Sequence, residues 1–163
     1  MATGNAWLFL TTTNRVHAGH DGYEDEPDTR YVWDDHVANH NRVREGDPVV
    51  IWDKQVLLGI SSIAQIKNGS GEKILHRCPA CGTTNIKARQ TRAPKFRCGK
   101  CTNEFEAPKS ESVHVRTYQA DYAQDWVSFQ GAANGQELRE LCVNKSGFPS
   151  PKSQMSIRDI RLD

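Results

Sequence analysis

Two CxxC pairs govern what this chain can fold into: Cys78 and Cys81 in "RCPACG", then Cys98 and Cys101 in "RCGKCT", with 16 residues between them. A CxxC turn aims two thiolates at one point, and two such turns joined by about 15–20 residues have the spacing of a zinc ribbon. Pro79, Gly82 and Gly99 suit the tight turns, and Pro94 directs the return strand. "TNIKAR" and "KFRCG" read as the two strands of a hairpin. Four cysteine ligands leave no position for water or substrate. The expectation is therefore one structural Zn²⁺ per chain on Cys78, Cys81, Cys98 and Cys101, a clip rather than a reaction centre. His76 stands beside the set as a substitute ligand that four thiolates do not need. A dithiol redox centre is the rival reading, and two CxxC pairs flanked by arginines give it little support.

The charge of the same segment is lopsided. From His76 to Asn103 there are seven basic residues and no acidic one, although the chain as a whole carries a net charge of only +1. Seven acids against Arg30 crowd into "DGYEDEPDTRYVWDD", Asp21 to Asp35. Four thiolates and Zn²⁺ together carry about −2, so the basic side chains leave the ribbon roughly +5. Arg77, Lys87, Arg89, Arg92 and Lys95 are the candidate phosphate contacts, which supply affinity without sequence information. Solvated loops of opposite sign, or a ribbon that merely closes a long loop, would carry the same residues.

Around the ribbon, 163 residues with 37% hydrophobic and 25% charged side chains fit a single domain with an insert at 76–105. No run approaches the roughly 18 apolar residues of a membrane span. "MATGNAWLFLTTT" lacks the basic start of a signal peptide, and four of the five cysteines are clustered rather than spread as in a secreted disulfide scaffold. The chain is expected to be cytoplasmic and complete, with Cys142 in "ELRELCV" a plain buried thiol.

The elements read as mostly β. "AWLFLTTT" opens as a strand, followed by a long polar loop, "NRVHAGHDGYEDEPDTR". A short helix is expected in "RYVWDDHVANHNRVREGD", ending near Gly46. "PVVIW" and "VLLGISSIAQI" form a hairpin turning at Asp53 and Lys54. "SVHVRTYQA" alternates as a strand, "AANGQELRELCV" is a helix capped by Asn134, and "SQMSIRDIRL" closes as a strand. Five or six strands and two or so short helices predict an α+β, mostly β fold, most economically a small partly closed barrel. Trp7 and Trp52 sit on apolar strands and are assigned to its core.

Trp7 on the first strand, "WDDHVANH", "REGDPVVIW", "LLGISSIAQI" and later "RTYQADYAQDWVSFQGAANGQELREL" with "PKSQMSIRDI" occur in an order that resembles the PUA-like superfamily, which includes the SRA, EVE and YTH domains. The later segments look similar to the SRA-like modules of actinobacterial modification-dependent restriction enzymes. The resemblance covers most of the chain outside the ribbon. It lacks the glycine-rich signature of eukaryotic SRA domains and has the ribbon inserted. It implies a reader that flips a modified cytosine, 5-methyl or 5-hydroxymethyl, out of duplex DNA into an aromatic and carboxylate pocket. On the matching segments Trp33 would be one stacking wall, Asp34 and then Asp35 the acceptor, and Tyr122 with Trp126 the opposing wall. Each has a plainer role: Tyr122 and Trp126, four apart, also suit core packing, and Asp34 suits a helix cap. YTH and EVE relatives make modified RNA the alternative partner.

Nothing in the chain reads as a second, cutting domain. His17 with His20, and His36 with His40, have metal-ligand spacing but no third ligand in an obvious motif. A nucleophile elbow, a phosphate-binding loop and a dinucleotide fingerprint are absent from the sequence. The expectation is a binding protein without nuclease activity. Its competitors are a ribbon adaptor for protein or unmodified nucleic acid, and a metal-dependent nuclease built on the histidines.

Overall fold

A computed structural model describes residues 5–11 and 26–162. His17 and His20 lie outside the described residues. Two compact units divide the rest: a body comprising 5–11, 26–69 and 116–162, and a ribbon unit comprising 70–115.

The body is organised about β1 (Ala6–Leu10), all five of whose residues are buried. That follows from its place in a six-stranded sheet. β1 pairs in parallel with β3 (Pro48–Trp52) on one side and antiparallel with β12 (Ile157–Ile160) on the other. Successive side chains point to opposite faces, and both faces are covered. Trp7 and Phe9 enter one apolar cluster with Tyr31, Trp33, Val49 and Ile51. Ala6, Leu8 and Leu10 enter another with Trp52, Leu138 and Cys142. Trp7, Trp52 and the Cys142 thiol are thus core residues, as expected, and burial pushes the thiol pKa of Cys142 up.

The expected hairpin forms between β3 and β4 (Leu57–Ser62), and Lys54 at its turn takes a positive φ of 79°. Outward from β4 lies β10 (Val127–Ser128), and outward from β12 lies β11 (Cys142–Val143). These two edges leave the sheet open: the described residues are mostly β, as expected, and form no closed barrel. A second sheet of order β2-β9-β5 joins β2 (Arg30–Asp34), β9 (Lys109–Asp121) and β5 (Gln65–Arg77). One α-helix occurs among the described residues, α1 (Gly135–Glu140). Its Asn134 side chain accepts from the Glu137 N–H at 2.9 Å, and Glu137 reaches back to the Asn134 N–H at 3.4 Å, a complete capping box.

The helix expected in 30–47 is a correction. Its first part is β2, and 35–42 runs as turns closed by i, i+3 bonds, with Asn39 at φ 68°. Left-handed backbone at Asn39 stops a helix from propagating, while Val37 and Val43 still reach the core.

In the ribbon unit, β6 (Ile86–Ala88), β7 (Phe96–Cys98) and β8 (Glu104–Phe105) form an antiparallel sheet, adding a third strand to the expected hairpin. Its apolar core comprises Cys78, Cys98 and Phe105, with Ile86 and Phe96 packed against it. So few buried side chains are a small core for this sheet, of the kind a cross-link or a metal usually supports; Leu75 and Val115, also in 70–115, are buried outside it.

Candidate metal centre and aromatic recess

Cys78, Cys81, Cys98 and Cys101 bring their four sulfurs within 4.8 Å of one another. A tetrahedron of Zn–S bonds of about 2.3 Å has sulfur–sulfur edges of about 3.8 Å. The distances found are 3.7 Å for Cys78 to Cys101 and 3.6 Å for Cys81 to Cys98. The cluster is compatible with a zinc site. Backbone builds both turns: Gly82 N–H donates to Cys78 O, Gly82 takes φ +76°, and the N–H groups of Lys100 and Cys101 each donate to Cys98 Sγ at 3.2 Å. Desolvation opposes ionisation of Cys98, but those two N–H groups and the neighbouring thiols hold its pKa down to about 6. Cys101 gains from the Asn103 N–H, yet desolvation and the other three sulfurs push it up to about 12. Four thiolates cannot share this volume without a cation between them. Among the described residues no other group of three or more His, Cys, Asp or Glu side chains is placed to share a metal. His36 and His40 stand on turns rather than on one helix face.

The candidate phosphate contacts divide. Arg77 Nε pairs with Glu111 at 2.9 Å and Arg89 Nη1 with Glu104 at 3.0 Å. Arg89 also donates twice to Pro94 O and Arg77 once to Gly82 O, so both arginines brace the ribbon. Arg89 in turn holds the Glu104 carboxyl below its usual range. Lys87, Arg92 and Lys95 are exposed, and Lys87 stands directly opposite Arg97 across the β6–β7 ladder. Like charges in register repel and gain from a bound anion.

The expected base-binding residues differ in burial. Trp33 and Tyr122 are fully buried in the same core cluster. Trp33 Nε1 donates to His40 O at 3.1 Å, and Tyr122 donates its hydroxyl to Pro27 O. Asp34 is buried, with Oδ1 accepting from the His36 N–H at 2.8 Å, which makes it a turn-former rather than a helix cap. Asp35 keeps one buried carboxylate oxygen, Oδ1, without a partner. Trp126 packs against the core beside Tyr122 at 6.1 Å between centroids and lies over the Gly59 backbone, on a turn rather than a helix.

What sequence reasoning missed is Tyr118. Register sets it opposite Trp33 across β2 and β9, and the two rings stack at 5.5 Å with 13° between planes. Tyr118 is half-buried and lines a recess of about 470 Å³, shared with His40, Asn41, Arg44, Glu45 and Asn68. That size falls in the range of about 300–1,000 Å³ usual for ligand pockets. Glu45 Oε1 accepts from the Ile66 N–H at 3.0 Å, which orients the carboxylate. His40 Nδ1 lies 3.0 Å from Val37 O, which can only accept, so Nδ1 donates the hydrogen of that bond. The alternation in "RTYQA" was the available signal, but only the pairing with Trp33 reveals which face of Tyr118 is backed. Comparison with protein-family models, with curated proteins and with solved structures found no match.

Proposed function

We propose that this protein reads a modified cytosine in duplex DNA without cutting it. A zinc-clipped ribbon supplies phosphate contacts and the recess at Tyr118 supplies the base contact. The observation that carries the reading is Tyr118 itself, an accessible ring backed by a buried tryptophan and surrounded by amide and carboxylate groups. Extracting a base costs a few kcal/mol, offset by stacking and by hydrogen bonds to its Watson–Crick edge. Tyr118 offers the stacking face and Trp33 stiffens it. Glu45 and Asn68 are the acceptors available to an exocyclic amine. In the ribbon, Zn²⁺ on four cysteines fixes the hairpin, and Lys87, Arg92 and Lys95 face the backbone charge.

The test is binding at one fixed salt to matched unmodified, 5-methylcytosine and 5-hydroxymethylcytosine duplexes and to a modified single-stranded RNA. A preference of about 1–3 kcal/mol for one modified duplex, lost in Tyr118→Ala and kept in Tyr118→Phe, is the expected result. Equal, salt-sensitive binding to all four would make the ribbon the whole interaction and leave the adaptor reading in its place. A preference for the RNA would change the substrate and keep the recess. Nicking with Mg²⁺ or Mn²⁺ that disappears in His36→Ala would overturn the non-enzymatic assignment.

A further inference from the structure

Pairing β6 with β7 brings like charges together. Lys87 stands directly opposite Arg97, and one pair further on the Arg89 N–H donates to Lys95 O at 2.6 Å. Residues opposite one another put their side chains on one face, with Cβ atoms about 4.5–5.5 Å apart. On its other side Arg97 faces Glu104, but that carboxylate is bonded to Arg89 Nη1 at 3.0 Å. Lys87 and Arg97 are both exposed, and neither side chain has an ion pair or hydrogen bond among the described residues. Lys95 Nζ lies 5.4 Å over the Phe96 ring, which leaves its charge in place. Glu106 is the carboxylate that lines the hollow at the ribbon tip with Arg92 and Lys95. Lys87, Arg89, Arg92, Lys95 and Arg97 are thus offset by Glu104 and Glu106 alone in this part of the ribbon.

The same two strands carry the metal-ligating geometry. Cys98 follows Arg97 at the end of β7 and pairs with Ile86, the neighbour of Lys87. Gly99 N–H donates to Asn85 O at 2.8 Å and continues that pairing. Holding Cys98 in the four-sulfur cluster therefore also holds Arg97 against Lys87. With a core of only Cys78, Cys98 and Phe105, the ribbon sheet has little apolar burial to set against the repulsion. A metal on the cysteines favours the paired strands, and the repulsion opposes them. An anion laid on the face removes the repulsion, and it meets the full face only while the strands are paired. Two ligands that favour one folded form raise each other's affinity by the same factor. Phe96 and Phe105 pack in the ribbon core, so this face offers cations without a stacking ring. That chemistry suits the backbone of duplex DNA, which carries one charge per about 1.7 Å of its axis and needs no base to be read.

We propose that duplex DNA and the ribbon's metal bind cooperatively, with Lys87 and Arg97 as the pair that couples them. This rests on the reading of the chain as a DNA-binding protein, but not on recognition of a modified base. The experiment measures the equilibrium partition of Zn²⁺ between the full chain and a chromophoric chelator. It is run alone, with an unmodified duplex, with a 5-methylcytosine duplex and with poly-glutamate, for wild type, Lys87→Gln and Arg97→Gln. Either duplex is expected to raise the zinc affinity of wild type about 5- to 150-fold, an effect that fades as salt is added. Without DNA, Lys87→Gln and Arg97→Gln are expected to hold zinc at least as tightly as wild type, because the repulsion is gone. With DNA they are expected to gain less. A purely structural role for either residue would instead loosen zinc without DNA and leave the gain unchanged, which overturns the proposal. Zinc affinity that stays the same while wild type binds the duplex overturns it too, as does a rise with poly-glutamate and none with DNA. A rise of equal size with both duplexes, and no preference between them in binding, supports the coupling while removing the base-reading function. A preference for the methylated duplex with no change in zinc affinity does the reverse.

Discussion

Trp33 and Tyr118 meet face to face, and the division of work between them decides what a substitution at either would do. Trp33 touches Phe9 and Tyr31 as well, with centroids at 6.0 and 6.1 Å, and has no exposed surface. Trp33→Ala should therefore cost about 3–5 kcal/mol in urea unfolding, the loss typical of a truncated core aromatic. Tyr118→Ala removes a ring with one side already open and should cost far less. Gly59 is a second position where a single atom matters. A Cβ placed there would lie 2.3 Å from two carbons of the Trp126 ring. Gly59→Ala should displace Trp126, destabilise by about 1–3 kcal/mol, and show as a red-shifted tryptophan emission.

Elements were legible where a local pattern matched the burial that followed. "AWLFL" is an unbroken apolar run because β1 is covered on both faces, and "PVVIW" is nearly so for the same reason. Asn134 with Glu137 spelled out the start of α1, and Asn134→Ala should lower stability by about 1 kcal/mol in thermal or urea melts. The four cysteines were legible by spacing alone. Misreading came where tertiary contact overrode local pattern. Polar residues on both sides of "RYVWD" concealed a strand whose burial alternates only once β9 lies beside it, and Asn39 gave no signal of its left-handed turn. The recess was invisible for the same reason, because it depends on pairing two residues far apart in sequence. Aromatics flanked by carboxylates drew attention to Trp33 and Tyr122, whereas the hydrogen bonds of Trp33 Nε1 and the Tyr122 hydroxyl are satisfied inside the body.

For the molecule as a whole, the placement of the four tryptophans offers a clean readout. Trp7, Trp33, Trp52 and Trp126 all belong to the body, and residues 70–115 contain none. A chelator that removes the metal should unfold the ribbon unit, seen as released metal and newly reactive thiols, while tryptophan emission stays as it was. Simultaneous loss of both signals would mean that the two units fold as one. Cys78→Ser should reproduce the chelator's effect without added reagent.

Gly69 and Thr117 give the arrangement of β5 and β9 an evolutionary meaning. A Cβ on Gly69 would lie 2.9 Å from Thr117 Oγ1, so the chain leaves the body and returns to it at almost the same point. Forty-six residues, 70–115, are therefore hung from a joint that a two-residue reverse turn would close. A lineage can acquire, exchange or discard such a cassette in a single insertion or deletion without rethreading the body.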